Sequence, residues 1–328
     1  VQETLRGKPR PVRYLAGALA VTLLATSPEH VDRLLVPMAD APAQLFTVLT
    51  LLLALRGMRQ LEEGGRALLS FGLAGLAFAW AYWVRHTQLV LALPVIVAVL
   101  LGSPSRSGSR RRPWSSAILP LLTFFGVAMV AALPDIIYRW RVFGGPLATE
   151  TTELPLMGLQ HIGPVAWQML REAVAAGEWG YLFPLALYGG YRLARDRRRE
   201  ALVLGSAFGA VLLVHLTYRS LRLRDLLSLF PLVDLAVAYG TVSLALEVRR
   251  LTRGREARLS AAVLGAATIA WLLLSLSLSR WAMIDNLWKR GWASFGYMRA
   301  ENRAAFDRLA ELIPPEGIVG ASLNAGAV

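Results

Sequence analysis

Long apolar runs alternate with short polar segments along most of this chain. Several runs approach the roughly 20 residues that a helix needs to cross the hydrocarbon layer of a bilayer. The runs are continuous, whereas the strands of a membrane barrel alternate apolar and polar positions and are about half as long. The pattern predicts an all-α integral membrane protein, a multi-span helical bundle with juxtamembrane helices at its outer face. About nine spans are predicted, at 14–26, 41–55, 67–84, 87–102, 115–133, 181–193, 201–218, 226–246 and 259–279.

The chain divides into a membrane region and a polar tail. Residues 1–280 are predicted to form the transmembrane helical domain, with the long polar segment 134–180 as an outer loop. Residues 281–328 are predicted to begin an extracytoplasmic C-terminal region. The chain starts at Val1 without a signal-peptide pattern, and its last residues begin a strand-like run without a closing element. Both ends are typical of a fragment of a longer protein.

Composition excludes several classes of protein. With 55% hydrophobic and 17% charged residues, the chain is too apolar for one soluble core of its length. It has no cysteine, which excludes disulfides and thiolate metal sites. The net charge of +13 comes from short basic clusters between apolar runs. Such clusters indicate membrane topology rather than nucleic-acid binding.

Arginine-rich loops mark one side of the membrane. Basic residues cluster in the segments 2–13, 56–66, 103–112, 195–199 and 249–258, and cytoplasmic loops are the ones that carry excess Lys and Arg. The loops between them are therefore predicted to face outside. Tryptophan and tyrosine residues cluster at the predicted outer ends, as in an interfacial aromatic belt.

A polar stretch between the first two runs, residues 29–46, turns a predicted hairpin on the outer side. Asp40 stands directly before the second run, and Pro42 lies in its first turn, where a missing N–H breaks no helical hydrogen bond. Asp40 is therefore predicted as a helix N-cap, because aspartate is a favoured cap. A second interpretation of Asp40 is catalytic. A carboxylate held ionised at a helix N-terminus can bind a metal or activate a nucleophile.

Four basic residues on the predicted outer side violate the inside preference of such residues. One interpretation is that they reach lipid phosphates or pair with a neighbour such as Asp225. The other is that they form a cationic site for a phosphate head group, because arginine can bind two phosphate oxygens at once. The sequence leaves both interpretations open. The residues are Arg85, His86, Arg222 and Arg224.

Three further carboxylates are weaker candidates. Glu150 and Glu153 lie in the long outer loop, where a solvated role is expected. Asp234 falls inside a predicted span, where a carboxylate is a functional candidate by default, although it could also pair with His215 or with an arginine of another helix. His215 itself is predicted to be a packed, hydrogen-bonded residue. The four histidines of the chain are too dispersed to suggest a metal site.

Several short stretches together resemble the glycosyltransferase-C superfamily, in particular bacterial relatives of protein mannosyltransferases and aminoarabinose transferases. The resemblance covers nearly the whole chain. One stretch departs from the family pattern, because Leu223 follows Arg222 where an aromatic residue is common. The stretches are 38–46, 72–77 followed by Arg85, 143–147, 222–232 and 312–320.

The resemblance implies a membrane glycosyltransferase. In this family a polyprenyl-phosphate sugar in the outer leaflet donates its sugar, with inversion at the anomeric carbon, to a glycan, lipid or protein acceptor. The departing phosphate needs charge stabilisation more than a proton, which arginines or a metal can supply. The expected location is the bacterial cytoplasmic (inner) membrane, as a multi-pass protein with its active face outside.

The resemblance also assigns roles to residues. Asp40 matches the second outer acidic residue of the family and is the expected catalytic residue and candidate ligand of a divalent metal, Mg²⁺ or Mn²⁺. Arg85 and Arg222 match the contacts to the donor phosphate, and Arg224 supports them. The first catalytic acid of the family, the expected general base, would precede Tyr14 and lie outside this chain. The fragment alone is therefore expected to be inactive.

Two other functions share these features. A transporter or flippase of lipid-linked precursors would use the same phosphate contacts but should have charged residues at mid-membrane and broken helices in paired spans. A non-catalytic membrane subunit would use Asp40 as a cap only. Replacing Asp40 by Asn separates the interpretations, because Asn still caps a helix but cannot act as a carboxylate.

Overall fold

The computed structural model of the chain describes residues 10–34, 39–103, 113–145, 156–175 and 178–251, and positions 270, 271, 274, 308, 311 and 312. Several predictions fall largely or wholly outside this part of the chain. They concern the carboxylates of Glu150 and Glu153, the ninth span at 259–279 and the tail at 281–328.

Helices account for nearly all of the described residues. In that part of the chain no β-strand forms, and an isolated antiparallel bridge joins Met157 to Tyr218. Two 3₁₀ segments position the candidate site: segment A, His86–Leu91, leads into α5, and segment B, Leu223–Leu229, leads into α10. The helices are α1 Arg10–Ala25, α2 Pro28–Leu34, α3 Asp40–Glu62, α4 Leu68–Val84, α5 Ala92–Gly102, α6 Pro113–Phe143, α7 Ile162–Ala175, α8 Phe183–Asp196, α9 Arg198–Leu216 and α10 Phe230–Leu251.

Four helices among the described residues are long and apolar enough to cross a membrane. They cover Asp40–Glu62, Ala117–Phe143, Arg198–Leu216 and Leu223–Val248. Shorter apolar helices add to them, as expected for spans that are completed by neighbouring polar turns. The prediction of an all-α membrane protein is confirmed at this level. The count of nine spans and the type of bundle stay predictions.

The helices alternate in direction, which gathers distant parts of the chain at one end of the bundle. α3 leaves this end at Asp40, α4 returns to it at Val84, and α10 leaves it again after segment B. We call it the Asp40 end, and the opposite end, where α3 finishes, the Glu62 end. Residues 195–199, one of the arginine-rich loops of the sequence analysis, lie at the Glu62 end, where Arg199 pairs with Glu62.

Small residues let two of these helices approach closely. A Cβ atom on Gly189 of α8 would lie 1.8 Å from the carbonyl oxygen of Ala236, and one on Gly240 of α10 would lie 2.4 Å from that of Leu185. Both contacts involve backbone atoms, so neither side could yield by turning a side chain. Packing through small residues is the usual way for helices to associate where lipid removes the hydrophobic driving force.

The helices differ in how much of their surface the protein covers. The apolar window of α6 is 22% buried, whereas the window of segment B and α10 is 56% buried. α6 packs along α4, and much of its remaining surface is apolar and exposed, including Leu122, Met129 and Val130. Such a surface is suited to contact with lipid chains.

Candidate active site at the Asp40 end

Arg85 is the centre of the charged groups at the Asp40 end. It follows the last residue of α4 in an extended conformation, which ends the helix and begins segment A. Its Nη1 donates a hydrogen bond to Oδ1 of Asp40, and its Nη2 donates to Oδ1 of Asp225 at 3.1 Å. Nη1 also reaches the backbone carbonyl oxygen of Asp225 at 3.3 Å. One guanidinium therefore joins α3, α4 and segment B.

Asp40 does not act as the helix cap that the sequence predicted. It is the first residue of α3, Ala39 holds the cap position, and no side chain makes a cap hydrogen bond there. The prediction is wrong because the carboxylate pairs with Arg85, a charged partner that offers a stronger hydrogen bond than a backbone N–H. The Asp40 side chain is about 10% exposed, so this pairing compensates for its removal from water.

Asp225 is a member of the site that sequence reasoning named only as a neighbour for the arginines. Its second oxygen accepts a hydrogen bond from the backbone N–H of Arg222 at 3.0 Å, which shapes the start of segment B. The same carboxylate thus orders the loop that carries Arg222 and Arg224. Its spacing of three residues after Arg222 was the signal available in the sequence.

The predicted phosphate-binding arginines lie in different surroundings. Arg85 is largely buried, and contacts to Asp40 and Asp225 use its two terminal nitrogens. Arg222 is exposed and Arg224 is half-buried. Neither Arg222 nor Arg224 forms a salt bridge with another residue in the part of the chain that the structure describes. The structure therefore brings the three arginines to one end and leaves two of them available to an anion.

A second layer of polar contacts lies beneath the charged layer and joins α3, segment A and segment B. Gln88 of segment A is fully buried, and its Oε1 accepts a hydrogen bond from the hydroxyl of Thr47 of α3 at 3.0 Å. Its Nε2 donates to the hydroxyl of Ser228 of segment B at 3.5 Å. Gln44 of α3 donates to the carbonyl oxygen of Leu227 at 2.9 Å. These contacts hold the two carboxylates and Arg85 in register.

His215 is packed and hydrogen-bonded, as predicted. It is buried near the end of α9, with Nδ1 2.8 Å from the carbonyl oxygen of Val211 and Nε2 3.4 Å from the hydroxyl of Thr87. It therefore contacts segment A from α9.

His86 points away from Arg85, its neighbour in the chain, and joins a separate cluster with α6. Its Nε2 lies 3.6 Å from Oδ2 of Asp135, and its Nδ1 lies 3.3 Å from Nη2 of Arg139. Arg139 in turn donates to Asp135 at 2.9 Å. Sequence reasoning placed His86 with the arginines of the phosphate site, but the structure places it in a cluster whose formal charges cancel.

Asp234 is buried next to an indole, a partner that the sequence analysis did not consider. Its Oδ1 accepts a hydrogen bond from Nε1 of Trp179 at 3.0 Å. Trp179 also packs edge-on against Phe230, with ring centroids 4.6 Å apart. The contact fixes the residues before α8 against α10, which is a structural role.

His30 of α2 lies next to Glu178 at this end of the bundle. The backbone N–H of Glu29 donates to Oε2 of Glu178 at 3.3 Å, and the backbone N–H of His30 donates to the hydroxyl of Ser27 at 3.1 Å. Burial lowers the pKa of His30 from its usual 6.5, and the negative charge of Glu178 opposes that shift only in part. His30 is therefore neutral at pH 7.

The carboxylates as arranged do not form a metal site. Asp40 and Asp225 both face the guanidinium of Arg85, which stands where a cation shared by the two would have to sit. Across the described ranges, no three histidine or acidic side chains converge on one point. Dependence on Mg²⁺ or Mn²⁺ stays a prediction.

Two apolar cavities adjoin this end of the bundle. The α4–α6 cavity, about 460 Å³, is lined by residues of α4, segment A and α6 and by the first residue of α5. The α7–α10 cavity, about 360 Å³, lies beneath the surface helix α7, against α9, segment B and α10. Both volumes fall in the range of about 300–1,000 Å³ that is common for small-molecule sites.

Comparison with known proteins adds no assignment to this geometry. No protein-family model matches the chain, and neither a curated protein nor a solved structure matches it.

Proposed function

We propose that this protein transfers a sugar from a polyprenyl-phosphate donor to an acceptor at the outer face of the membrane, with inversion at the anomeric carbon. The observation that carries the proposal is the junction of Asp40, Arg85 and Asp225 beside two arginines that face an approaching anion. The junction lies at an end of an apolar bundle, where a lipid-linked substrate would present its head group. Its members also match the residues on which the family resemblance rests.

The arginines stabilise the departing phosphate. In the transfer, negative charge develops on the phosphate oxygen that leaves the anomeric carbon, and preorganised cations at that point lower the barrier. Arg222 and Arg224 flank the site on segment B, so they bind the phosphate directly. Arg85 keeps its carboxylate partners and contributes positive charge from behind them.

Asp40 accepts the proton in this proposal because its carboxylate lies at the site, although the family resemblance places the general base before Tyr14. The acceptor hydroxyl oxygen forms a bond to the anomeric carbon on the face opposite the phosphate, and the bond between that carbon and the phosphate oxygen breaks. The electron pair of the broken bond stays on the phosphate, and the proton of the hydroxyl passes to the Asp40 carboxylate. Arg85 holds this carboxylate in position before the reaction through the hydrogen bond that its Nη1 donates.

The test compares two carboxylates of the same helix. Asp40→Asn is assayed beside Glu62→Gln in membranes that contain the full-length protein and labelled polyprenyl-phosphate sugars. Loss of a proton acceptor should lower transfer at least about 100-fold for Asp40→Asn. Glu62 pairs with Arg199 at the opposite end, so Glu62→Gln should transfer like the wild type.

Two results would count against the proposal. Equal transfer by Asp40→Asn and wild type would remove Asp40 from the chemistry. Movement of the labelled lipid between leaflets without transfer to any acceptor would favour a flippase instead. A matching experiment with Arg222→Ala and Arg224→Ala should lower kcat as well as raise the KM for the donor, because both residues bind the phosphate and stabilise the charge that develops on it.

A further inference from the structure

Two 3₁₀ segments separate the polar site from the two apolar cavities. Side chains three residues apart in a 3₁₀ helix project from the same face, so each segment has one face toward the site and another away from it. In segment A and the residue before it, Arg85 and Gln88 face the site, whereas Leu89 and the following Ala92 line the α4–α6 cavity.

Segment B repeats this arrangement on the other side of the site. Asp225 and Ser228 face Arg85 and Gln88, and three leucines on another face line the α7–α10 cavity. Each segment is therefore a wall that is polar toward the site and apolar toward its own cavity. The leucines are Leu223, Leu226 and Leu229.

We propose that the two cavities hold the chains of two different lipids, so that the acceptor, like the donor, is a lipid. This inference rests on the proposed function and deepens it. The donor takes up only one of the two cavities, and a protein or glycan acceptor would leave the α4–α6 cavity without a use in the transfer. Two cavities, each separated by one wall from the same carboxylates and arginines, provide for two amphiphiles whose head groups meet at Asp40.

Charge assigns each lipid to its cavity. The wall of the α7–α10 cavity carries Arg222 and Arg224 on either side of Leu223, which suits a phosphate-bearing donor. At the α4–α6 cavity, Tyr82 lines the space and its ring contacts His86, whose cluster combines one carboxylate with one guanidinium.

That balanced cluster does not favour a phosphate. It suits an uncharged head group with hydroxyls, which can donate to Asp135 and accept from Arg139. The acceptor chain therefore lies in the α4–α6 cavity, with its head group directed past His86 toward Asp40.

The test fills the α4–α6 cavity and follows two lipid probes. Ala132 of α6 lines this cavity, and Leu133 beside it is 42% exposed. Ala132→Trp fills the cavity, and Leu133→Trp adds an indole to the exposed surface of the same helix. The full-length protein is reconstituted in phosphatidylcholine vesicles that contain either a diacylglycerol or a polyprenyl phosphate, each with a photoreactive group in its chain.

The wild type should be labelled by diacylglycerol at residues of the α4–α6 cavity and by polyprenyl phosphate at residues of the α7–α10 cavity. Ala132→Trp should lower the diacylglycerol label about tenfold, a loss typical of overfilling an apolar site, and leave the polyprenyl label unchanged. Leu133→Trp should change neither. If Ala132→Trp fails to accumulate, Ala132→Leu is a smaller filling with the same expected direction.

Three results would overturn the inference. One is diacylglycerol labelling that Ala132→Trp and Ala132→Leu leave unchanged. Another is competition, in which unlabelled polyprenyl phosphate displaces diacylglycerol from the α4–α6 cavity. The third is transfer of sugar to a soluble peptide at the wild-type rate by Ala132→Trp. A fourth result separates the two proposals. If polyprenyl phosphate labels neither cavity while diacylglycerol still labels the α4–α6 cavity in a way that depends on Ala132, the proposed donor is contradicted and the acceptor site is supported.

Discussion

Arginine–carboxylate pairs occur at both ends of the bundle, but they are built differently. At the Glu62 end, Arg59 of α3 binds Glu200 of α9 at 3.1 Å, and Arg192 of α8 binds Glu247 of α10. Each pair links two regular α-helices. At the Asp40 end, Arg85 stands where α4 stops, and its two carboxylates come from the starts of α3 and segment B.

This difference indicates which ion pairs can take part in a reaction. The pair of Arg59 and Glu200 joins two regular helices and is buried, so its main effect is to fix their positions. A pair at a break between elements can be approached from outside, and its 3₁₀ walls separate it from the apolar cavities. We therefore expect substitutions at the Asp40 end to change function and those at the Glu62 end to change stability.

The largest expected effect comes from removing Arg85. Arg85→Ala leaves two largely buried carboxylates facing each other, and the loss of one partner from such a pair costs about 3 kcal/mol of folding free energy. Transfer should become undetectable, because Asp40 then loses the partner that holds it in place. Arg85→Lys keeps the charge but loses the two-pronged contact, so it should recover stability more than activity. Thermal unfolding in detergent and the transfer assay measure the two effects.

Removing Arg59 should separate stability from activity. Arg59→Ala leaves Glu200 buried without this partner, which should lower the free energy of unfolding by about 3 kcal/mol. Transfer per folded molecule should stay close to the wild-type value, because the pair is at the opposite end. Arg199→Ala is the matched exposed control, with an expected cost below about 1 kcal/mol. A loss of transfer in folded Arg59→Ala protein would break the distinction between the two ends.

Substitution of Gln88 tests whether the second layer of polar contacts positions the charged residues Asp40, Arg85 and Asp225. Gln88→Leu removes the contacts to Thr47 and Ser228 and should lower kcat about tenfold, a loss equal to one or two buried hydrogen bonds. The free energy of unfolding of this variant should fall by an energy similar to that which corresponds to the loss in kcat. Gln60→Leu, which removes the contact of Gln60 to Ser70 at the Glu62 end, should lower stability but not kcat. Equal kcat values for both variants would show that the second layer is structural only.

The smallest expected effect is a pH dependence of stability due to His30. Its pKa is lowered in the folded state, so the unfolded chain binds more protons as the pH falls through 6.5. Stability should therefore be greatest above pH 6.5 and decrease below it. His30→Gln should remove this part of the dependence. Thermal unfolding of the wild type and of His30→Gln between pH 5 and 8 measures this dependence. If the difference in stability between the two proteins stays constant across this range, His30 is not its source.

Much of the fold followed from local pattern. The apolar runs predicted the membrane helices, because a continuous apolar stretch in lipid must satisfy its backbone hydrogen bonds within itself. The turns at Arg85 and before Asp225 were also predicted as ends of spans. The 3₁₀ segments were not, because a short change of helical period leaves no clear mark in an apolar run.

Individual site residues show the same limit. Asp40 stood out by its position before an apolar run, yet its partner was invisible, since Arg85 is 45 residues away and Asp225 is 140 residues beyond Arg85. Gln88 gave no signal at all, because an uncharged side chain in an apolar run has many roles. His86 was grouped with Arg85 by adjacency, although neighbours in a 3₁₀ turn face different directions.

The sequence by itself determined that this protein is helical and membrane-embedded and which charged residues lie near the ends of spans. Hydrophobicity and backbone hydrogen bonding act locally, so short windows of residues carry that information. The tertiary structure alone decided that Arg85 joins Asp40 to Asp225, that Gln88 repeats this junction one layer deeper, and that His86 belongs to another cluster. Those pairings depend on which helices meet, and helix contacts in lipid are set by the shapes of whole surfaces rather than by any one stretch of sequence.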